Sequence, residues 1–162
     1  MKKLYIMRHA KSSWKDSLLD DFDRPLNKRG RVDAPFMGEK LKAKKIIPDI
    51  IISSPALRAK TTAEIIAKKV NYSNEIIFKK NIYEVGISAI KKILKKLDDE
   101  KETVFLFGHN PDLNMLVDEL VGFDENIPTC GIVEIAFDCD KWMGLCSENA
   151  TLISFDYPKN KV

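Results

Sequence analysis

The sequence predicts an α/β fold in which a mainly parallel central sheet lies between two layers of helices. Short runs of apolar and β-branched residues alternate along the chain with longer segments whose apolar residues recur at helical spacing. This alternation is typical of three-layer α/β/α sandwiches with helices on both faces of the sheet. Because there is also no internal repeat and no linker, we expect residues 1–162 to form a single domain.

The first half of the chain carries three predicted strands and two predicted helices. The strands are Lys3–Met7, Asp49–Ser53 and Glu75–Phe78. Asn27 is a suitable N-cap for a helix that ends near Lys44. The second helix is predicted from a single apolar face, which consists of Ala56, Ala59, Ala63, Ile66, Ala67 and Val70.

The second half carries two further helices and three strands. An amphipathic helix is marked by Ile87, Ile90, Leu94 and Leu97. The clearest strand is Thr103–Phe107, since its residues are β-branched or aromatic. Pro111 suits the first turn of the next helix, whose apolar side consists of Leu113, Leu116, Val117 and Leu120. Strands at Gly131–Phe137 and Thr151–Phe155 close the chain, joined by a turn near 138–142.

Composition argues against several functional classes. The net charge of +3 is too small to indicate nucleic-acid binding, and no nucleic-acid motif accompanies the lysine clusters. No apolar run approaches the roughly 20 residues that span a bilayer. The apolar stretch before Arg8 is too short for a signal peptide, so we expect a cytoplasmic protein with no membrane partner. Cys130, Cys139 and Cys146 form no CxxC pair, which argues against disulfides and structural zinc.

Basic and imidazole side chains follow three of the predicted strands. Arg8 and His9 come directly after the first strand, Arg58 lies just beyond the second, and His109 follows the strand at 103–107. Ligands of open α/β sheets bind outside the carboxyl ends of the strands. Each residue alone would usually be structural or solvated, but all four at one sheet edge indicate a binding site.

These four side chains suit phosphoryl transfer. Planar guanidinium groups match phosphate oxygens in a bidentate way. A neutral imidazole is a good nucleophile at physiological pH, and an imidazolium is a charged hydrogen-bond donor. Arg8 and His9 are adjacent, so both can reach one pocket only if the backbone bends sharply there.

Other phosphatase chemistries do not match the sequence. A cysteine phosphatase needs an arginine six positions after its cysteine, whereas Cys130 has Ala136 at that distance. Neither Asp21–Asp23 nor Asp138–Asp140 is followed by the Thr or Val of an aspartyl-phosphate motif. No Walker-type phosphate loop is present either.

Four blocks of sequence occur in an order that is typical of one family. They are Arg8–Ala10 with Ser12 and Trp14, Arg24–Gly30, Ser53–Ala63 and Gly108–Pro111. Together they resemble the histidine phosphatase superfamily, which also contains the cofactor-dependent phosphoglycerate mutases. The chain length and the second and fourth blocks look most like the SixA-type phosphohistidine phosphatases. The resemblance implies a phosphoglycerate mutase-like fold.

The resemblance also implies catalytic roles. The family counterpart of His9 attacks phosphorus and becomes transiently phosphorylated, while a backbone hydrogen bond holds its other ring nitrogen. Arg8, Arg58 and His109 would surround the phosphoryl oxygens, with Ser12 as a further hydrogen-bond donor. Water then hydrolyses the phosphohistidine, and neither a metal nor a cofactor is required. Since His9 must be neutral and His109 is more useful charged, we expect their pKa values to be pushed apart.

The general acid is open at this point. Glu84 lies on a loop before a helix, where many members of the superfamily carry an acidic residue, but it is equally compatible with a surface glutamate. A phosphorylated imidazole leaves as neutral imidazole without an acid, whereas an alkoxide benefits from one. Two positions depart from the family: Ala10 replaces a glycine, which is acceptable at negative φ, and Lys15 stands where mutase-like members often carry asparagine.

Three functions are therefore considered. The first is a phosphohistidine phosphatase acting on phosphorylated protein. The second is a phosphomonoesterase acting on a sugar or nucleoside phosphate, and the third is a non-catalytic phosphate-binding module. About 25 residues separate Arg58 from Glu84, which leaves little room for a substrate lid and favours the first. We expect phosphate, sulfate or vanadate to bind in the pocket.

The loop after the first strand carries Trp14, which we expect to line the pocket, to contact a protein partner or to cover the edge of the core. We expect an ion pair between Asp23 and Arg24 to hold this loop.

Overall fold

A computed structural model describes residues 1–159 and contains one six-stranded sheet in that range. The strands are β1 (Lys2–Arg8), β2 (Ile50–Ser53), β3 (Ile77–Phe78), β4 (Thr103–Gly108), β5 (Ile132–Phe137) and β6 (Ala150–Asp156). The helices are α1 (Lys28–Ala43), α2 (Leu57–Lys69), α3 (Ile87–Lys95) and α4 (Asp112–Val121). Short 3-10 helices lie at Asp21–Asp23, Lys80–Ile82, Trp142–Gly144 and Ser147–Asn149.

The sheet is mixed, with strand order β3-β2-β4-β1-β5-β6. The pairs β2–β3, β2–β4 and β1–β4 are parallel, whereas β1–β5 and β5–β6 are antiparallel. The predicted, mainly parallel sheet is confirmed, and its antiparallel part consists of the last two strands. Because β5 runs against β1, the loop before β5 reaches the same sheet edge as the carboxyl ends of β1, β2 and β4.

Helices cover both faces of the sheet, as predicted. Alternate side chains of a strand point to opposite faces, and β1 shows this clearly. Tyr5 and Met7 belong to the core cluster that α1 and α2 share. Leu4 and Ile6 belong to the cluster that α3 and α4 share. The central strand is therefore buried on both faces, which is typical of α/β sandwiches.

The start of α1 is fixed against the loop that follows β1. The Asn27 side chain caps the helix by accepting a hydrogen bond from the Gly30 N–H at 2.8 Å, as predicted. The Asn27 N–H in turn donates to the carbonyl of Lys11 at 2.9 Å. A Cβ at Gly30 would collide with that same carbonyl oxygen. The close approach places residues 10–12 beside the helix and thereby shapes the functional site.

Two predicted segments differ in extent. The strand predicted at Glu75–Phe78 forms only at Ile77–Phe78, because β2 offers it just two paired positions at the sheet edge. The predicted turn near 138–142 is a longer excursion that contains two 3-10 helices and buries Trp142 in the core. Among residues 1–159, the helices are all too short or too polar to cross a membrane.

Candidate active site

The four side chains that the sequence singled out line one open pocket of about 540 Å³ at the carboxyl ends of β1, β2 and β4. His9, Arg58 and His109 are buried, and Arg8 is half-buried. The two imidazole rings lie 5.2 Å apart between centroids. The structure thus brings together residues from three separate strand ends.

The chain bends where Arg8 passes into His9. In an extended strand successive carbonyls point in opposite directions. Here the carbonyls of Arg8 and His9 both accept a hydrogen bond from the Cys130 N–H, at 3.1 and 3.0 Å. The next N–H, of Ala10, donates to the Thr62 hydroxyl at 2.9 Å. The predicted bend is confirmed. Ala10 keeps a negative φ, as its replacement of glycine requires.

His9 is held as a neutral imidazole with one available nitrogen. Its Nδ1 lies 2.7 Å from the carbonyl oxygen of Ala10. Since a carbonyl only accepts, Nδ1 carries the proton and Nε2 keeps its lone pair. Burial lowers the pKa of His9 to about 4; the Ala10 hydrogen bond opposes this shift, and the nearby Arg58 reinforces it. His9 is therefore neutral at physiological pH, which a nucleophile requires.

His109 is also neutral in the pocket without substrate. The prediction that the pKa values of His9 and His109 are pushed apart is therefore wrong for this state, because both are lowered. Burial lowers the pKa of His109 to about 3, and the neighbouring His9 and Arg58 contribute to the shift. The same cause therefore acts on both rings. His109 Nε2 lies 2.7 Å from the Ser54 hydroxyl, while its buried Nδ1 has no hydrogen-bond partner within residues 1–159.

The two predicted arginines each leave a buried donor unpaired. Arg8 donates through Nη1 to the carbonyl of Ile127 at 3.0 Å. Arg58 donates through both terminal nitrogens to Asp21. The Nε of each arginine is buried and lacks a partner in the described part of the chain. Unpaired buried donors are unfavourable, and an anion with several acceptor oxygens would satisfy these two together with His109.

Asp21 was missed by the sequence reasoning, and the predicted Asp23–Arg24 ion pair is wrong. Arg24 pairs instead with Asp21, whose Oδ1 lies 3.1 Å from Nη2. In a 3-10 helix, residues three apart lie on the same side and adjacent residues do not. That spacing was a usable signal for the Asp21–Arg24 pair. No sequence pattern signals the contact between Asp21 and Arg58.

Ser12 and Trp14 both line the pocket beside Arg24. The Ser12 hydroxyl accepts a hydrogen bond from Arg24 Nη1 at 2.6 Å, so its own proton is available to a ligand. The Trp14 ring stacks on the Arg24 guanidinium, 3.4 Å from Cζ to the ring centroid. Trp14 is 75% exposed, so it forms part of the pocket wall and does not cover the core.

Glu84 also lines the pocket, but it is exposed. Within residues 1–159 no hydrogen bond or ion pair holds its carboxylate, in contrast to that of Asp21. Its backbone has a left-handed φ of 56°.

The three cysteines are free thiols, and Cys130 lies buried behind Arg8 and His9. In the described range no group of three His, Cys, Asp or Glu side chains could hold a metal ion.

Comparison with known proteins identifies the family. The family model of the histidine phosphatase superfamily (branch 1) matches residues 4–97, more than half of the 162 residues. The chain therefore belongs to this superfamily. An uncharacterized chloroplastic protein of Arabidopsis thaliana is 29% identical over 150 residues, which cover 87% of this chain and 69% of that protein.

Solved structures of other phosphatases share the fold. The crystal structure of the putative phosphohistidine phosphatase SixA from Agrobacterium tumefaciens aligns with a TM-score of 0.84 and 25% identity, covering 97% of this chain and 98% of that one. Phosphoserine phosphatase from Entamoeba histolytica, in complex with 3-phosphoglyceric acid, aligns with a TM-score of 0.72 and 17% identity over the whole of both chains. The second likeness concerns the fold alone.

Proposed function

We propose that the protein is a metal-independent phosphatase that hydrolyses a phosphoryl group through a covalent phosphohistidine on His9. The observation that carries this proposal is the state of the His9 ring. The Nδ1 of His9 donates its proton in a hydrogen bond to the Ala10 carbonyl oxygen, and the low pKa of the ring keeps Nε2 unprotonated. Arg8, Arg58 and His109 line the pocket around this ring.

In the first step the His9 Nε2 lone pair forms a bond to phosphorus while the bond to the leaving group breaks. Negative charge on the phosphoryl oxygens is met by the unpaired Nε donors of Arg8 and Arg58. Donors that are fixed before the reaction stabilise such charge without reorganisation. The proton stays on His9 Nδ1 and keeps its hydrogen bond to the Ala10 carbonyl oxygen, so the phosphorylated ring keeps its orientation.

In the second step water attacks phosphorus and the Nε2–P bond breaks. The ring leaves as neutral imidazole, because Nδ1 already carries its proton, and the product phosphate takes a proton from the water. His109 supports both steps. A phosphoryl group beside it raises its pKa relative to the unoccupied pocket, so its Nδ1 becomes a stronger donor when substrate is present.

Phosphohistidine in proteins is the substrate class that the site favours. A phosphorylated imidazole needs no acid to leave, and the exposed Glu84 has no partner in residues 1–159 that would hold it as an acid. The loop whose Trp14 and Asp21 line the pocket also exposes apolar side chains, including Leu18 at 93%. Exposed apolar clusters often mark protein contact sites.

A cytoplasmic location of the protein stays a prediction.

A phosphomonoesterase acting on a small sugar or nucleoside phosphate is the second candidate, since Glu84 lines the pocket and could protonate an alkoxide. Turnover of a protein phosphohistidine should be compared with turnover of a panel of phosphate esters at equal enzyme concentration. We expect kcat/KM to be highest for the phosphohistidine protein. Higher values for one ester would support the second candidate, and no turnover of any substrate would indicate a non-catalytic phosphate-binding module.

A further inference from the structure

We propose that Asp21 is a positioning residue, which together with Tyr83 orients the Arg58 guanidinium toward the phosphoryl group. The proposal rests on the phosphatase function proposed above. Asp21 begins a 3-10 helix in the loop after β1, Arg58 lies in the first turn of α2, and Tyr83 directly follows another 3-10 helix. Three distant parts of the chain therefore meet at one carboxylate beside the pocket.

Hydrogen bonds occupy both oxygens of this carboxylate. Arg58 Nη2 and the Tyr83 hydroxyl donate to Oδ2, at 2.9 and 2.7 Å. Arg24 donates through Nε to Oδ1 at 3.1 Å. Arg58 Nη1 donates to the backbone oxygen of Asp21 at 2.6 Å. An exposed ion pair contributes little, but here the Arg58 side chain is only 6% exposed, so its orientation depends on these contacts.

These contacts hold one edge of the Arg58 guanidinium and leave its Nε without a hydrogen-bond partner in residues 1–159. Asp21 holds the two terminal nitrogens, so the group cannot rotate about its axis without breaking both bonds. The remaining Nε is buried and has no partner within residues 1–159. A donor fixed before the substrate arrives lowers the barrier because the site need not reorganise. Asp21 thus acts on the reaction through Arg58.

The charge state of Asp21 fits positioning and does not fit proton donation. Burial raises its pKa, but the hydrogen bonds from Tyr83 and Arg58 outweigh burial and bring the pKa down to about 2. The carboxylate is therefore ionised throughout the physiological range.

Tyr83 links this carboxylate to the other side of the pocket. Burial and the Asp21 carboxylate raise the pKa of Tyr83 to about 12, so its hydroxyl stays a donor. The same ring packs edge-on against His109, with centroids 5.4 Å apart. Tyr83 therefore contacts both the group that positions Arg58 and the second imidazole of the site.

The test compares Asp21→Asn with the control Asp23→Asn. The control also removes one carboxylate charge, but from an exposed side chain two positions further along the chain. Asp21→Asn is expected to lower kcat by about 10- to 100-fold, with KM changed by less than about threefold. Vanadate, which mimics the trigonal-bipyramidal transition state, should bind more weakly by a similar factor. Asp23→Asn should change each value by no more than about twofold.

A second variant tests the role of Tyr83 by the same readouts. Tyr83→Phe should lower kcat less than Asp21→Asn, and the double variant should be no slower than Asp21→Asn, because the two side chains act through one contact. If Asp21→Asn does not fold, weaker vanadate binding by Tyr83→Phe carries the test, and unchanged binding overturns the proposal.

The outcomes separate this proposal from the proposed function. Vanadate that binds Asp21→Asn as tightly as the unaltered protein would show that Asp21 does not position Arg58, and tighter binding would show that Asp21 repels the anion; either result would overturn the positioning role. Vanadate binding needs no turnover, so it reports on Asp21 even if the enzyme's substrate is wrongly assigned. Failure of the phosphatase function would instead appear in the unaltered protein, as the absence of any phosphorylated His9.

Discussion

The two sides of the pocket are held in different ways. On one side, Arg8, His9 and His109 lie at the ends of β1 and β4, where the sheet register sets Arg8 beside Gly108. We call these three residues the strand-end side. On the other side, Asp21 and Tyr83, together with Arg24, hold Arg58 through side-chain hydrogen bonds between distant segments. We call this group the loop side.

Because the two sides are held differently, a substitution on each side has a different kind of effect on the site. Backbone pairing fixes the strand-end side, so a substitution there removes a chemical group and leaves the geometry in place. The loop side depends on side-chain contacts, so one substitution there can shift the position of a group that remains present. We therefore expect the largest losses of activity from the strand-end side and graded losses from the loop side.

The largest expected effect is that of His9→Ala, which removes the nucleophile. The rate should fall by roughly 10⁴-fold or more, since the only other imidazole in the described pocket, that of His109, is engaged with the Ser54 hydroxyl. His109→Asn should lower kcat by only about 10²- to 10³-fold, because it weakens charge stabilisation and keeps the nucleophile. Equal losses from both variants, measured in steady state, would contradict the distinct roles of the two rings.

Glu84→Ala should separate the substrate classes. Hydrolysis of an alkyl phosphate ester should slow by about 10²-fold or more if Glu84 protonates the leaving oxygen. Hydrolysis of phosphohistidine should change by less than about threefold, because the imidazole leaves without an acid. The para-nitrophenyl ester, whose leaving group also needs no acid, provides the control. An equal loss on all three substrates would refute this account of Glu84.

The pH dependence of kcat/KM tests the state of His9. Because the His9 pKa is lowered to about 4, the ring stays neutral as the pH falls from 7 to 5 and loses its lone pair only near pH 4. Activity should therefore persist below pH 6, after correction for the titration of the substrate. Loss of activity centred near pH 6.5, the ordinary value for histidine, would show that burial does not keep the ring neutral.

The same shift affects folding stability. The pKa values of His9 and His109 are lower in the folded protein than in the unfolded chain. The unfolded chain therefore binds more protons as the pH falls below about 6.5, and the free energy of unfolding decreases toward pH 4. Denaturant unfolding at several pH values would measure this decrease, which should be smaller in His109→Asn.

The smallest expected effect concerns recognition of a protein substrate by the exposed loop. Leu18→Ser should lower kcat/KM for a phosphohistidine protein by about fivefold and leave hydrolysis of a small ester unchanged. Ile47→Ser provides a matched control, since Ile47 is also exposed but lies before the amino end of β2, at the opposite sheet edge. Equal effects of both variants would exclude a specific contact at Leu18.

The two sides of the pocket also differ in how far the sequence predicts them, because backbone pairing holds one side and side-chain contacts between loops hold the other. Arg8, His9 and His109 directly follow recognisable strands, and parallel strands bring their carboxyl ends to one edge, so their proximity could be predicted. Asp21 lies 37 positions from Arg58 and 62 from Tyr83. Contacts of this kind depend on how the loops pack, which no local pattern records.

Burial and strand direction set two further limits. Both histidines were expected to differ in pKa because catalysis needs different roles, but desolvation acts on each ring in the same direction. All six residues of β5 are buried, as in a parallel central strand, so its residue pattern does not reveal its antiparallel pairing with β1. The fold class, the strand-end side and the position of Arg58 in the pocket could be predicted, whereas the contacts of Arg58 with Asp21 and of Asp21 with Tyr83 required the structure.

The most direct test of the central claim is to stop the reaction during turnover and map phosphoryl groups covalently bound to the protein. We expect one acid-labile, alkali-stable phosphoryl group on the peptide that contains His9, and no such group in His9→Ala. An unaltered enzyme that turns over with no bound phosphoryl group, or a label that persists in His9→Ala, would contradict that claim.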